Sequence, residues 1–200
     1  MTLPHKKLSL PRRTFWAAVA VLTALRLFVT GFQQAYTWVG GAPLDDELMF
    51  RAANAISAGQ WLGEYDYLTL SKSMFFPVWL ALLHALRIPY LLGGVALWCA
   101  AVLAAAFALR PLWEKRGEDA ARLCTLRLYA ALCFLPSSWA AYTLRVYRDN
   151  IFPALCLLCF AGFAGALLRA GWDPARKPKL AGWAVLAGAG LAAGYLSRED

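Results

Sequence analysis

The chain has 200 residues, 60% of them hydrophobic and 16% charged, with a mean hydropathy of +0.50 and a formal charge of +8. A soluble domain carries about a quarter charged residues and could not bury this much apolar area, so composition excludes an ordinary soluble globule and indicates an integral membrane protein. Twelve of the twenty Lys/Arg fall in three short segments (Lys6, Lys7, Arg12, Arg13; Arg110, Lys115, Arg116, Arg122; Arg169, Arg176, Lys177, Lys179) separated by pairs of apolar runs. That is the positive-inside pattern, and it accounts for the basicity without a nucleic-acid partner.

The first apolar run, 15–32, is too long for the core of a signal peptide and has no cleavage site behind it. Five runs lie near the ~20 residues a bilayer requires: roughly 15–37, 90–110, 123–144, 151–169 and 180–197. With the basic N-terminus inside, the five spans alternate and every basic segment lands on the inner side. The expected fold is all-α: a single polytopic module over 1–200, a bundle of about five transmembrane helices, with interfacial helices in an outer loop at 40–90. A competing count makes 74–86 a span, but it moves the second basic segment outside.

The outer side then holds Asp45, Asp46, Glu47, Glu64, Asp66, Asp149, Glu199 and Asp200, eight of the twelve acids. Carboxylates contribute little to orientation, so this asymmetry needs another cause. The loop itself, about fifty residues, is too long for a passive connection. Within it Leu48, Met49, Ala52, Ala53 and Ile56 recur at helical spacing opposite Glu47, Arg51, Asn54, Ser57 and Gln60, an amphipathic interfacial helix bracketed by Gly59 and Gly63. Residues 74–86 are apolar on nearly every face, too short to span, and are closed by Pro89; they read as re-entrant or interfacial.

Asp45-Asp46-Glu47, preceded by Pro43, can cap this helix, one carboxylate sufficing. The surplus acid can serve as a general base or divalent-metal ligand. In the turn "LRVYRDNIF", Arg145 and Arg148 are either interfacial anchors or phosphate-recognising groups beside Asp149. Lys72 is either a snorkelling cation or a point charge for a lipid phosphate. Arg26, inside the first span, is a site candidate by position, or it snorkels outward. His84 reads as a packed histidine, and the five Cys as small hydrophobes. Gly162 and Gly165, with Gly188, Gly190 and Gly194, read as close helix packing. The chain has no zinc motif, nucleotide-binding glycine loop or serine elbow, so a sugar or phosphate donor would come through the membrane.

The order of these features resembles the GT-C glycosyltransferases, in particular the family 39 type with the protein O-mannosyltransferases and the aminoarabinose transferase of lipid A. The resemblance lies in a first span followed by an outer loop opening on Asp45-Asp46 and an amphipathic helix ending at "AGQW". "SKSMFFPVWLALLHALRIPY" is similar to the family's lysine-containing segment, "YRDN" to its second acidic loop, and "AGLAAGYLSRED" to its glycine-rich span and charged outer motif. The chain departs from the family in having Pro77 rather than a proline directly after Lys72, and in the register of Arg51.

The resemblance implies a bacterial inner-membrane enzyme with a cytoplasmic N-terminus and a periplasmic site, moving a sugar from a polyprenyl-phosphate donor to a lipid, glycan or protein acceptor. It implies catalytic acids at Asp45 or Asp46 and at Asp149, a possible divalent metal on Asp45 and Asp46, and lipid-phosphate contacts from Lys72 and Arg51, with Arg145 and Arg148 nearby. Family members are longer, so the chain is expected to be their N-terminal membrane portion. The rival expectation is a non-enzymatic protein that handles lipid headgroups or transports an ion.

Overall fold

A computed structural model describes residues 10–37, 43–61, 63, 73–170 and 177–198. Among them all regular structure is helical, with no strand beyond one isolated parallel bridge between Tyr36 and Arg145. The helices are α1 (Arg12–Thr30), α2 (Pro43–Ser57), α3 (Phe75–Ala85), α4 (Tyr90–Leu109), α5 (Pro111–Glu114), α6 (Glu118–Cys133), α7 (Ala141–Leu144), α8 (Phe152–Leu167) and α9 (Lys177–Tyr195). Two of them, α1 and α4, are long and apolar enough to cross a membrane; α3, α8 and the apolar part of α9 are shorter.

Local chemistry sets most of the boundaries. Pro11 and Pro89 stand at the N-caps of α1 and α4, where their fixed φ and missing N–H cost nothing. Helix α2 ends where the amphipathic pattern ends. Gly59 takes φ +80°, its N–H donates to Ile56 O, and Gln60 N–H donates to Ala55 O, a Schellman closure that needs a left-handed residue. The buried stripe of α2 is Asp46, Met49 and Ala53, and it packs on α3. His84 is exposed on α3 rather than packed, because Phe76, Ala81 and Leu83 occupy the face turned inward.

The third expected span, 123–144, differs from its forecast. The helix begins earlier, at Glu118, and stops at Cys133; a 3-10 turn (Pro136–Trp139) and the single turn α7 follow. Pro136 cannot donate to a continuing helix and forces Leu135 into an extended conformation (φ −58°, ψ 128°). Sixteen residues reach only about 24 Å, short of a ~30 Å hydrocarbon core. The first half of α6 carries Glu118, Asp119 and Arg122, and Arg127 follows just past its middle.

Helix α4 is the centre of the bundle. One face meets α1 and α6 through Phe15, Val19, Val95, Cys99, Val102, Ala106, Tyr129 and Cys133. Its other face meets α8 through Ala105, Ala108 and Ala161. The buried Tyr129 hydroxyl shares a 2.6 Å hydrogen bond with Thr23, so no polar atom is stranded there. A third cluster joins Met49, Phe76, Tyr147, Ile151 and Leu155, fastening α2 and α3 to the start of α8.

Helices α8 and α9 touch backbone to backbone. A Cβ at Gly162 would collide with the Ala187 backbone, one at Gly165 with the Trp183 ring, and one at Gly190 would lie 2.6 Å from Cys159 N. The small-residue reading of the sequence is realised as contact at Gly162, Gly165 and Gly190, but not at Gly188, where a Cβ would meet nothing within 4 Å, and barely at Gly194, where the nearest atom is the Leu155 Cβ at 4.0 Å.

Five helices alternate in direction between two ends. At one end, Arg122 donates to Leu10 O, Arg110 pairs with Glu118 at 2.6 Å, and Arg169 donates to Phe107 O and Ala108 O at the α4 C-terminus. At the other, Tyr36 bonds the 144–146 backbone, Phe75 N–H meets Leu196 O, and Arg198 reaches Asp149. So α1, α6 and α9 run one way, α4 and α8 the other, and residues from each of the three basic segments stand toward the same end. Between the ends the exterior is apolar: Val21, Phe28, Phe163, Leu167 and Val185 are all exposed.

Candidate functional site at the end opposite the basic segments

The site forms because the 144–150 segment is held in place backbone first. Tyr36 N–H donates to Leu144 O (3.1 Å) and Val146 N–H to Tyr36 O (2.9 Å). The Tyr90 hydroxyl lies within hydrogen-bonding distance of Arg145 O (2.9 Å) and Tyr147 O (3.0 Å), which share its one proton, and it accepts from Tyr147 N–H (3.2 Å). Tyr90 sits on the first residue of α4, so the rigid central helix sets the height of this segment. These tyrosines escaped the sequence reading; the only signal was an aromatic at a helix end.

On this frame Arg145 projects its guanidinium onto Asp46 of α2. Nη2 donates to Oδ1 at 2.7 Å and Nε to Oδ2 at 3.3 Å, while the guanidinium carbon lies 4.5 Å above the Tyr147 ring. Asp46 is 4% exposed. The two-point fork suits a planar guanidinium and a carboxylate, and the bond to Asp46 raises the Arg145 pKa further above its usual value. Asp46 therefore ties α2 to the 145–147 segment with both oxygens engaged.

Arg148 is buried against the Tyr147 ring at 5.2 Å. Asp149 pairs with Arg198 at 3.5 Å, both more than a third exposed, a contact that solvent weakens to little energy. Arg198 also lies over Phe152. Arg51 is exposed on α2, five residues and roughly 140° of helix rotation from Asp46, so the helix puts it on a different face from the ion pair.

Asp45 belongs to the first turn of α2, but its side chain lies outside the described residues; so do Lys72, Glu64, Asp66, Glu199 and Asp200 in full. The structure thus gathers Asp46, Arg145, Arg148, Asp149 and Arg198 at one end of the bundle. Among the described residues no group of three His, Cys, Asp or Glu converges as a metal site.

Arg26 does not snorkel. It is 1% exposed, donating from Nη1 to Thr30 Oγ1 (3.1 Å) and from Nη2 to Ser138 O (2.9 Å), with its guanidinium 3.6 Å over the Trp139 ring. Ser138 and Trp139 lie in the break after α6, so the interruption of the third span is what receives this cation. Comparison with protein families, curated proteins and solved structures finds no match for the chain.

Proposed function

We propose that this chain is the membrane module of a glycosyltransferase of the GT-C kind, embedded through α1, α4, α8, α9 and the α6–α7 segment, with its working face at the end that carries Asp46 and Arg145. The observation that carries the reading is the meeting there of acids and arginines from separate segments: Asp46 from α2, Arg145, Arg148 and Asp149 from the 144–150 turn, and Arg198 from the end of α9. An apolar exterior between two charged ends favours a bilayer over water as the medium.

In this reading the donor is a polyprenyl-phosphate sugar and the arginines with Lys72 hold its phosphate. Asp46 positions the face, because Arg145 engages both its oxygens, and Asp45 takes the proton from the acceptor hydroxyl as it attacks the anomeric carbon and displaces polyprenyl phosphate. Asp149 assists from the facing turn. A divalent metal, if the reaction uses one, would draw on Asp45. The engagement of Asp46 by Arg145 is also what a non-enzymatic headgroup-handling protein would have, and the same experiment separates the two.

The test is transfer from a polyprenyl-phosphate sugar by the full-length protein in lipid. Asp45→Asn should lower turnover by about 10²–10⁴-fold, the span of a lost general base, with donor binding retained. Turnover unchanged in Asp45→Asn, or no transfer by the wild type from any polyprenyl-phosphate sugar, would overturn the reading.

A further inference from the structure

Arg26 is a buried cation whose partners are neutral: a threonine hydroxyl, Ser138 and an indole face. No acid among the described residues pairs with it, and its Nε–H has no hydrogen-bond partner. A charge in this position is costly unless something offsets it. Beside it, between α1, α4 and the 137–153 segment, is a cavity of about 50 Å³ lined by Arg26, Gln33, Ser138 and Asn150 among others.

Asn150 presents the complementary deficit. Its amide nitrogen donates to Thr143 O at 2.8 Å, which fixes the amide's orientation, and its Oδ1 is buried without a donor. The missing Cβ of Gly94 is what leaves room for that oxygen. The Gln33 side chain makes no hydrogen bond within the described residues.

One cavity therefore joins a cation with no acid partner among the described residues, a Gln33 side chain with no hydrogen bond there and the unused Asn150 acceptor. A chloride ion or an ionised carboxylate would satisfy the cation but offers nothing to Asn150 Oδ1. A phosphoryl group with its second pKa near about 6 carries both O⁻ and O–H near neutrality. At roughly 10–15 Å³ per water-sized group, the cavity has room for about the four oxygens of one phosphate.

We propose that this cavity binds a phosphoryl oxyanion, with Arg26 as its charge partner and Asn150 as the acceptor for its hydroxyl. The source is either free phosphate or the phosphomonoester headgroup of a lipid. The inference stands on Arg26 and Asn150 and does not depend on the transferase reading.

The experiment is thermal unfolding of the full-length protein in nanodiscs, as wild type, Arg26→Met and Gln33→Glu. Two probes are used: inorganic phosphate against sulfate in phosphatidylcholine discs, and discs containing phosphatidic acid. At ~100-fold the dissociation constant the wild-type Tm should rise by roughly 5–10 °C. Neither variant should respond, the first lacking the cation and the second supplying its own anion. Sulfate, with no hydroxyl at neutral pH, should shift the wild type less than phosphate does, and the variants' response to phosphate is read as the excess over their response to sulfate.

A response to inorganic phosphate would support the free ion, and a response to phosphatidic acid alone would support the lipid. No wild-type response to either, beyond the shift sulfate gives, would overturn the proposal. If Arg26→Met fails to fold, Gln33→Glu decides: a phosphate shift equal to the wild type's would also overturn it.

Discussion

Asp46 and Arg145 are separated by 99 residues in sequence and 2.7 Å in space, and that contact decides how the acidic triplet divides its work. Removing one partner of a buried pair leaves the other's charge uncompensated. Asp46→Asn should therefore lower stability by roughly 1–3 kcal/mol, less than for a fully buried pair because Arg145 is partly exposed. Asp45→Asn should leave stability within about 0.5 kcal/mol. Thermal unfolding of both variants in lipid checks this; equal losses would contradict the assignment of Asp46 as the strut. The sign of the Arg145 shift adds that the pair does not weaken through loss of the arginine proton near neutrality. A raised value means the contribution is complete below the arginine's ordinary pKa and fades only above the still higher folded-state value.

At this scale the sequence exposed the candidates and not their partners. Three adjacent carboxylates, a crowded arginine turn and an intramembrane arginine are all composition anomalies visible without a fold. That Asp46, Arg145 and Tyr90 meet depends on where α2 lies relative to α4, and no local periodicity encodes that. The Trp139 and Ser138 partners of Arg26 were hidden for the same reason.

Among the elements, α8 and α9 make the sharpest prediction. Gly162 and Gly190 face backbone atoms of the opposing helix, whereas Gly188 faces open space. Gly162→Ala and Gly190→Ala should each cost about 1–3 kcal/mol, since backbone cannot move aside as a side chain can. Gly188→Ala should be neutral or stabilising by up to about 1 kcal/mol, through helix propensity alone. Unfolding of the three variants under one set of conditions tests the register; an equal loss in Gly188→Ala would mean that α9 is rotated from the described position.

Helix boundaries were legible where one residue's chemistry sets them, as at Gly59 and Pro89. The α6 break was not, although Pro136 was in plain view. Hydropathy averaged across 123–144 concealed both that proline and the charged first half of the helix. His84 was misjudged by a related averaging: an apolar segment does not say which of its faces turns inward.

Over the whole molecule, the all-α class and the pairing of the basic segments at one end were readable from charge and hydropathy. The number of spans was less so, since among the described residues only α1 and α4 meet the length and hydropathy of a crossing helix. The remaining passages depend on how shorter helices combine. The central claim is that the two ends of this bundle open on opposite sides of a membrane, with the Asp46–Arg145 face on the side away from the basic segments. Gln60 and Lys115 are exposed residues near opposite ends. In a background cleared of native cysteines, Gln60→Cys and Lys115→Cys are tested with a membrane-impermeant thiol reagent on intact cells and on opened membranes. The account predicts that Gln60→Cys labels in intact cells and Lys115→Cys only after the membranes are opened; labelling of both from the same side would contradict it.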